Sequence, residues 1–167
     1  MEFRPMKRTP QALSREECLE ILNTKGQDVL ALTGDGGWAY AVPVNFVLSP
    51  EGDKLWIHGA PYGHKYESIL KNPKVSLCAV GEGVVKPEIY ATSFKSVILF
   101  GEAKALTDWE DRKAAVGAFC DRHAPGRLAE REAEIGKFQY VGVIEIKILH
   151  ISGKESLDRA QARGTSA

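Results

Sequence analysis

The chain has 167 residues, 44% of them hydrophobic and 26% charged, which suits one globular domain whose core needs no disulfide staples. Lysine plus arginine equals aspartate plus glutamate at 22 each, so overall charge makes no case for nucleic acid or a membrane surface. Three scattered cysteines, Cys18, Cys78 and Cys120, form no CxxC pair, which argues against a disulfide framework or a zinc site; they read as buried small side chains.

Residues 1–12 are polar and contain prolines, and are expected to form a flexible N-terminal segment. The opening stretch MEFRPMKRTPQALSREE lacks the apolar core of a signal peptide, and no apolar run approaches bilayer-spanning length. A cytoplasmic location is therefore expected. The sequence SREE, Ser14 to Glu17, fits a capping box and predicts a helix that carries Cys18, Leu19, Ile21 and Leu22 and ends by Asn23 and Gly26.

Three strands are predicted next. The first is Val29–Leu32, followed by a turn at GDGG, Gly34 to Gly37. The second runs from about Trp38 to Leu48 and holds Pro43 in its middle. Proline has no amide to give to a ladder, so this site is expected at an edge or a bulge. The third is Leu55–His58. A bend, HGAPYGHK, leads into a helix ended by Asn72 and Pro73.

A fourth strand is expected at Val75–Val80, in a meander with the first three, then an irregular excursion or hairpin over 81–94. The stretch SVILFGEAKAL, Ser96 to Leu106, reads as a long strand. TDWE, Thr107 to Glu110, reads as a second capping box that opens a helix to about Arg122. That helix has an apolar stripe of Ala115, Val116, Phe119 and Cys120, suited to the barrel or to a partner subunit. A short helical stretch is expected over Arg127–Ile135, with EREAE as its solvated face, and a last strand over Tyr140–Ile151. Trp38, Trp56 and Trp109 read as packing residues.

About six strands with helices between them and no βα alternation predict a mainly β, α+β fold: a six-stranded antiparallel barrel. One domain is expected over residues 13–152, with 153–167 as a flexible tail.

The bend His58–Lys65 concentrates chemistry. A strand ends in His58; Gly59, Ala60 and Gly63 let the backbone approach a ligand closely. His64 and Lys65 open the next helix, where free amides, the positive dipole end and a lysine suit a phosphate. A solvated turn whose polar residues cap a helix explains the octapeptide as well. A metal at His58 and His64 lacks further ligands. There is no GxSxG, Walker loop or GxGxxG.

Three blocks in order carry a resemblance. They are AVPVNF at Ala41–Phe46, KLWIHGAPYGHKYESILKNPKVSLCAV at Lys54–Val80, and FKSVILFGEAKAL at Phe94–Leu106. Together they resemble the pyridoxamine phosphate oxidase-like split-barrel flavoproteins, closest to the nitroimidazole-resistance group, over about residues 7–150. The resemblance implies a six-stranded split β-barrel of the FMN-binding type, a homodimer, and FMN in a cleft at the dimer interface. It implies that Lys65 holds the flavin phosphate with His64 and the Gly59–Ala60 backbone beside it. It places Pro43, Val44 and Asn45 along the isoalloxazine ring, Ser96 near the phosphate or ring, and His58 near the flavin.

The activity it implies is FMN-dependent reduction of small aromatic or nitro compounds, with electrons from a reduced donor. The alternatives are a non-catalytic module holding flavin, deazaflavin or haem, with His58, His64 and His150 as conceivable haem ligands, and an interaction barrel without a small ligand. No nucleic-acid, membrane or metal site is expected.

Two departures bear on the substrate. The ending SLDRAQARGTSA has no strand pattern around the arginines that pyridoxamine phosphate oxidases carry there, so vitamin-phosphate oxidation is not expected. TSFKSVI has Thr92 and Ser93 where the nitroimidazole-resistance group often shows a basic–aromatic–basic lead.

Overall fold

The computed structural model describes residues 2–25, 27–81, 83–127 and 130–164. Six antiparallel strands close on themselves: β2 (Gln27–Thr33), β3 (Ala39–Leu48), β4 (Lys54–Gly59), β5 (Lys74–Val80), β8 (Lys95–Leu106) and β9 (Gly142–Glu155). The order is β9-β4-β3-β2-β5-β8, and β8 pairs with β9 to seal the ring. A short β1 (Ala12–Leu13) adds to the far half of β9, and β6 (Val84–Lys86) pairs with β7 (Ala91–Ser93) as a separate hairpin. The described helices are α1 (Arg15–Lys25), α2 (His64–Lys71), α3 (Trp109–His123), α4 (Arg131–Lys137) and α5 (Leu157–Gly164). None of them is long and apolar enough to cross a membrane.

Strand alternation divides the apolar residues between two cores. Leu30, Phe46, Leu55, Ile57, Leu77, Leu99 and Ile146 fill the barrel, and α1 and α2 add Cys18, Leu22 and Ile69. Val47, Trp56 and Val143 point outward and are covered by Ala115, Val116 and Phe119 of α3 and Ile135 of α4. Of the three cysteines only Cys18 is fully buried, and burial pushes its thiol up to about 11.

The Ser14 box forms as expected: Glu17 N donates to Ser14 Oγ at 3.2 Å, and Ser14 N to Glu17 Oε2 at 2.8 Å. Its helix extends to Lys25, and Gly26 lies outside the described residues. The second cap is Asp108 rather than Thr107; its carboxylate accepts from Glu110 N and Asp111 N. Trp38 lies outside β3 and is 79% exposed, so it is no core residue.

Other expectations are corrected at longer range. The early meander has three strands, not four, because β5 crosses back to lie beside β2. Of the two readings expected for 81–94, an irregular excursion or a hairpin, the hairpin is the one that forms, as β6–β7, with Glu82 outside the described residues. The helix expected at Arg127–Ile135 is α4, four residues later at its start, and residues 128–129 are outside the description. The last strand continues to Glu155 and is followed by α5, where a flexible tail is expected; residues 165–167 are not described. The arm before α1 is also engaged. Phe3 stacks on His150 with centroids 4.7 Å apart, and Gln11 Nε2 donates to the Glu155 carbonyl at 2.9 Å.

Candidate functional site

The barrel splits between β3 and β4. Their ladder pairs Leu48 with Leu55, Val47 with Trp56 and Phe46 with Ile57, and stops there. Ala39–Asn45 then stay only with β2, while His58 and Gly59 stay only with β9. Pro43 faces Val29 of β2 on one side and the split on the other, so its missing amide costs no bond in the sheet. Val44 is buried toward the barrel, whereas Pro43 and Asn45 are exposed. Alternation puts Asn45 on the same side of the sheet as Val47, Trp56 and His58.

Beyond Gly59 the chain turns sharply. Ala60, Pro61 and Tyr62 are exposed, and Pro61 sits so close to Gly142 that a Cβ there would come within 2.9 Å of it. Gly63 has φ 92°, a conformation that favours glycine, and starts α2. Its amide donates to Glu67 Oε1 at 3.3 Å. α2 packs on β2 and β8.

Lys65 points back to the split: a Cβ on Gly59 would lie 3.6 Å from its Nζ. The side chain is half-buried, and loss of water lowers its pKa. Among the described residues no carboxylate pairs with it. An unpaired cation partly withdrawn from water is a receptor for an anion.

His64 is engaged elsewhere. Its ring stacks on Tyr40 with centroids 4.2 Å apart and planes 13° apart, and its Nε2 accepts a long bond from Asp35 N at 3.4 Å. Asp35 also pairs with Lys71 at 3.0 Å, which holds its carboxyl below the usual range. His64 therefore pins α2 to the β2–β3 turn. Ser96 is separated from β3 by β2 and β5; it faces Val80 and Lys154 and shares the outward face of β8 with Ile98 and Phe100. His150 stacks with Phe3.

His58 points outward to α3, edge-on to Phe119 with centroids 4.4 Å apart. Burial lowers its pKa, and the charges of His123 and Lys65 push the same way. The ring is therefore neutral at neutral pH. It borders a cavity of about 260 Å³ between the end of β4 and the α3–α4 pair, whose walls include Val116, Phe119, His123, Phe138 and Val141. Sequence reasoning missed this wall. The signal was Phe119 and His123, four residues apart on the helix face that already carried Ala115 and Val116. Among the described residues, no cluster of three His, Cys, Asp or Glu side chains could hold a metal ion.

A family model described as pyridoxamine 5'-phosphate oxidase matches residues 14–155. Several solved structures share the fold. A FAD- and haem-binding protein from Mycobacterium smegmatis is 25% identical, with a TM-score of 0.72 over 93% of this chain and 80% of that one. A FAD-binding protein from Mesorhizobium loti is also 25% identical, with a TM-score of 0.62 over 87% and 95%. A candidate 5-nitroimidazole antibiotic resistance protein from Bacteroides thetaiotaomicron is 18% identical, with a TM-score of 0.70 over 86% of each chain. Comparison with curated protein sequences gives no match.

Proposed function

The chain belongs to the pyridoxamine 5'-phosphate oxidase family, and from that premise we propose that it binds FMN in the split between β3 and β4 and reduces small aromatic or nitro compounds. The observation that carries this reading is Lys65, a half-buried cation beside Gly59 with no carboxylate partner among the described residues. A flavin phosphate supplies the missing charge.

The residues present fit such a group. Lys65 and the backbone at Gly59 and Ala60 hold the phosphate, as the resemblance implies. The open edge of Ala39–Asn45 offers main-chain donors and acceptors to a planar, polar-edged ring, with Pro43 contributing a carbonyl only. Asn45 and neutral His58 flank the split on its α3 side. His64 acts through Tyr40 and Asp35, fixing the start of α2 and with it Lys65. Bound flavin would supply a carrier that accepts electrons from a reduced donor and delivers them to the substrate.

A homodimer belongs to the same reading. Val29 faces Cys78, Cys78 faces Ile98, and Val80 and Phe100 lie two residues along on the same face. All four apolar residues flanking Cys78 in this patch are at least 40% exposed. Contiguous exposed apolar surface of this kind marks an interface. Ser96 lies on that face, so it would approach a cofactor only through a second copy.

Haem is the second reading, favoured by His58 and His123 at one cavity and by the Mycobacterium smegmatis relative that binds FAD and haem. The visible spectrum of the purified protein, with mass analysis of whatever heat releases, separates the two. Flavin bands and a mass of FMN support the first reading; FAD corrects the nucleotide; a Soret band without flavin supports the second. A colourless protein that ignores added FMN in calorimetry refutes the proposal. Equilibrium sedimentation tests the dimer.

A further inference from the structure

The cavity beside His58 has a chemistry of its own. Its volume, about 260 Å³, exceeds the roughly 150 Å³ of an apolar cavity that takes one benzene ring. Phe119 and Val116 of α3 form one wall, and Phe138 and Val141 another. The guanidinium groups at the rim are already matched. Arg131 is held by both Asp121 oxygens, Nε at 2.6 Å and one terminal nitrogen at 3.0 Å, and Arg127 is paired with Glu130. An anionic ligand would have to break these pairs to gain a partner.

Besides the free thiol of Cys120, the polar groups still open at the cavity are two imidazoles. His58 and His123 lie against Phe119, one edge-on and one parallel to it at 6.2 Å, and neither hydrogen-bonds a described residue. Apolar walls with a few convergent polar groups and no unmatched guanidinium describe a pocket for a flat neutral ring with a polar edge. Its floor, His58, is also the residue where β4 leaves β3, so a ligand here abuts the split.

We propose that this cavity binds a neutral, planar, one- or two-ring heteroaromatic, its face on Phe119 and its polar edge against His58 and His123. Binding itself follows from the cavity; the ligand's role as electron acceptor rests on the flavin reading.

The test titrates the protein, loaded with FMN, with benzimidazole by calorimetry at mildly alkaline pH, with benzoate as the anionic probe of similar size. Benzimidazole is expected to bind saturably, with benzoate weaker by roughly tenfold or more. Ala124→Phe fills the cavity from the end of α3 and should weaken benzimidazole by roughly tenfold or more. His123→Phe keeps the shape, removes a polar partner, and should cost roughly fivefold. Neither variant should change FMN affinity. If Ala124→Phe fails to fold, His123→Phe decides alone. No benzimidazole binding, equal binding of benzoate, or affinity unchanged in every folded variant overturns the proposal. So does a Soret band lost with His58→Ala, which assigns the cavity to haem. A protein that rejects FMN yet binds benzimidazole in this pattern sinks the flavin reading and leaves the pocket standing.

Discussion

Phe46 and Ile57 are the last pair that β3 and β4 share. Continued in register, the next pair would be Asn45 with His58, yet the two strands part there and follow different neighbours. A closed barrel thus acquires a backbone edge in its wall with no loop inserted. Lys65 stands at the mouth of that split, with its Nζ beside Gly59.

The position of Lys65 sets function against stability. Its ammonium is partly out of water and has no carboxylate partner among the described residues, so the ligand-free protein gains nothing from the charge. Lys65→Met keeps the length and apolar stem of the side chain. It should weaken FMN by about 1–3 kcal/mol, a charged hydrogen bond, while the ligand-free melting temperature stays level or rises. Flavin-fluorescence quenching and calorimetry measure the two effects. Unchanged FMN affinity would remove Lys65 from the site.

His58 gives the fold a pH dependence with a defined sign. Burial, His123 and Lys65 all disfavour its proton in the folded chain. An unfolded histidine titrates near pH 6.5, so below that value the unfolded state binds more protons and stability falls as pH drops toward the lower folded value. His58→Asn should flatten this part of the profile. Urea unfolding at stepped pH checks it, and parallel profiles for the two proteins would refute the assignment.

Local chemistry was legible in the sequence and distant pairing was not. The Ser14 capping box, the Asn72–Pro73 stop and the edge at Pro43 depend on a few adjacent residues, and each appears where the residues placed it. The return of β5 to β2 depends on register across some forty residues, for which no adjacent residue codes. The end of β9 reads SGKE, without apolar alternation, because ladders to β8 and β1 hold it from both sides. α5 has no buried residue and is held instead by partners far away: Asp158 by Lys86 at 2.9 Å and Arg159 by Ser93 Oγ at 2.9 Å. Of the candidate site, the bend and the β3 edge were visible because glycine and proline mark them. The cavity was not, because it exists only where α3 and α4 pack over β4.

Gly101 lies at the irregularity where the β8–β9 register shifts. A Cβ there would sit 2.5 Å from the Lys147 carbonyl oxygen and 2.6 Å from Ile146 Cγ2. The first obstacle is backbone and cannot rotate away. Gly101→Ala should therefore destabilise by about 1–3 kcal/mol through overpacking. Chemical denaturation measures the loss, and a variant as stable as the parent would show that β8 and β9 can part locally.

Arg163 joins both ends of the chain. It pairs with Glu155 at 3.0 Å and Glu17 at 3.3 Å, and donates to the carbonyls of Ala12 at 3.1 Å and Pro10 at 3.4 Å. Glu155 is 2% exposed, so its carboxylate has little water to fall back on. Arg163→Ala leaves that charge without its cation and should cost about 1–3 kcal/mol. At this chain length that lowers the melting temperature by about 2–4 °C per kcal/mol. Glu155→Gln removes the charge at its source. The double variant should therefore lose clearly less than the sum of the two single changes, because the penalty lies in a buried charge left alone. Strictly additive losses in that cycle would mean the pair is not coupled, and that α5 is held by Lys86 and Ser93 instead.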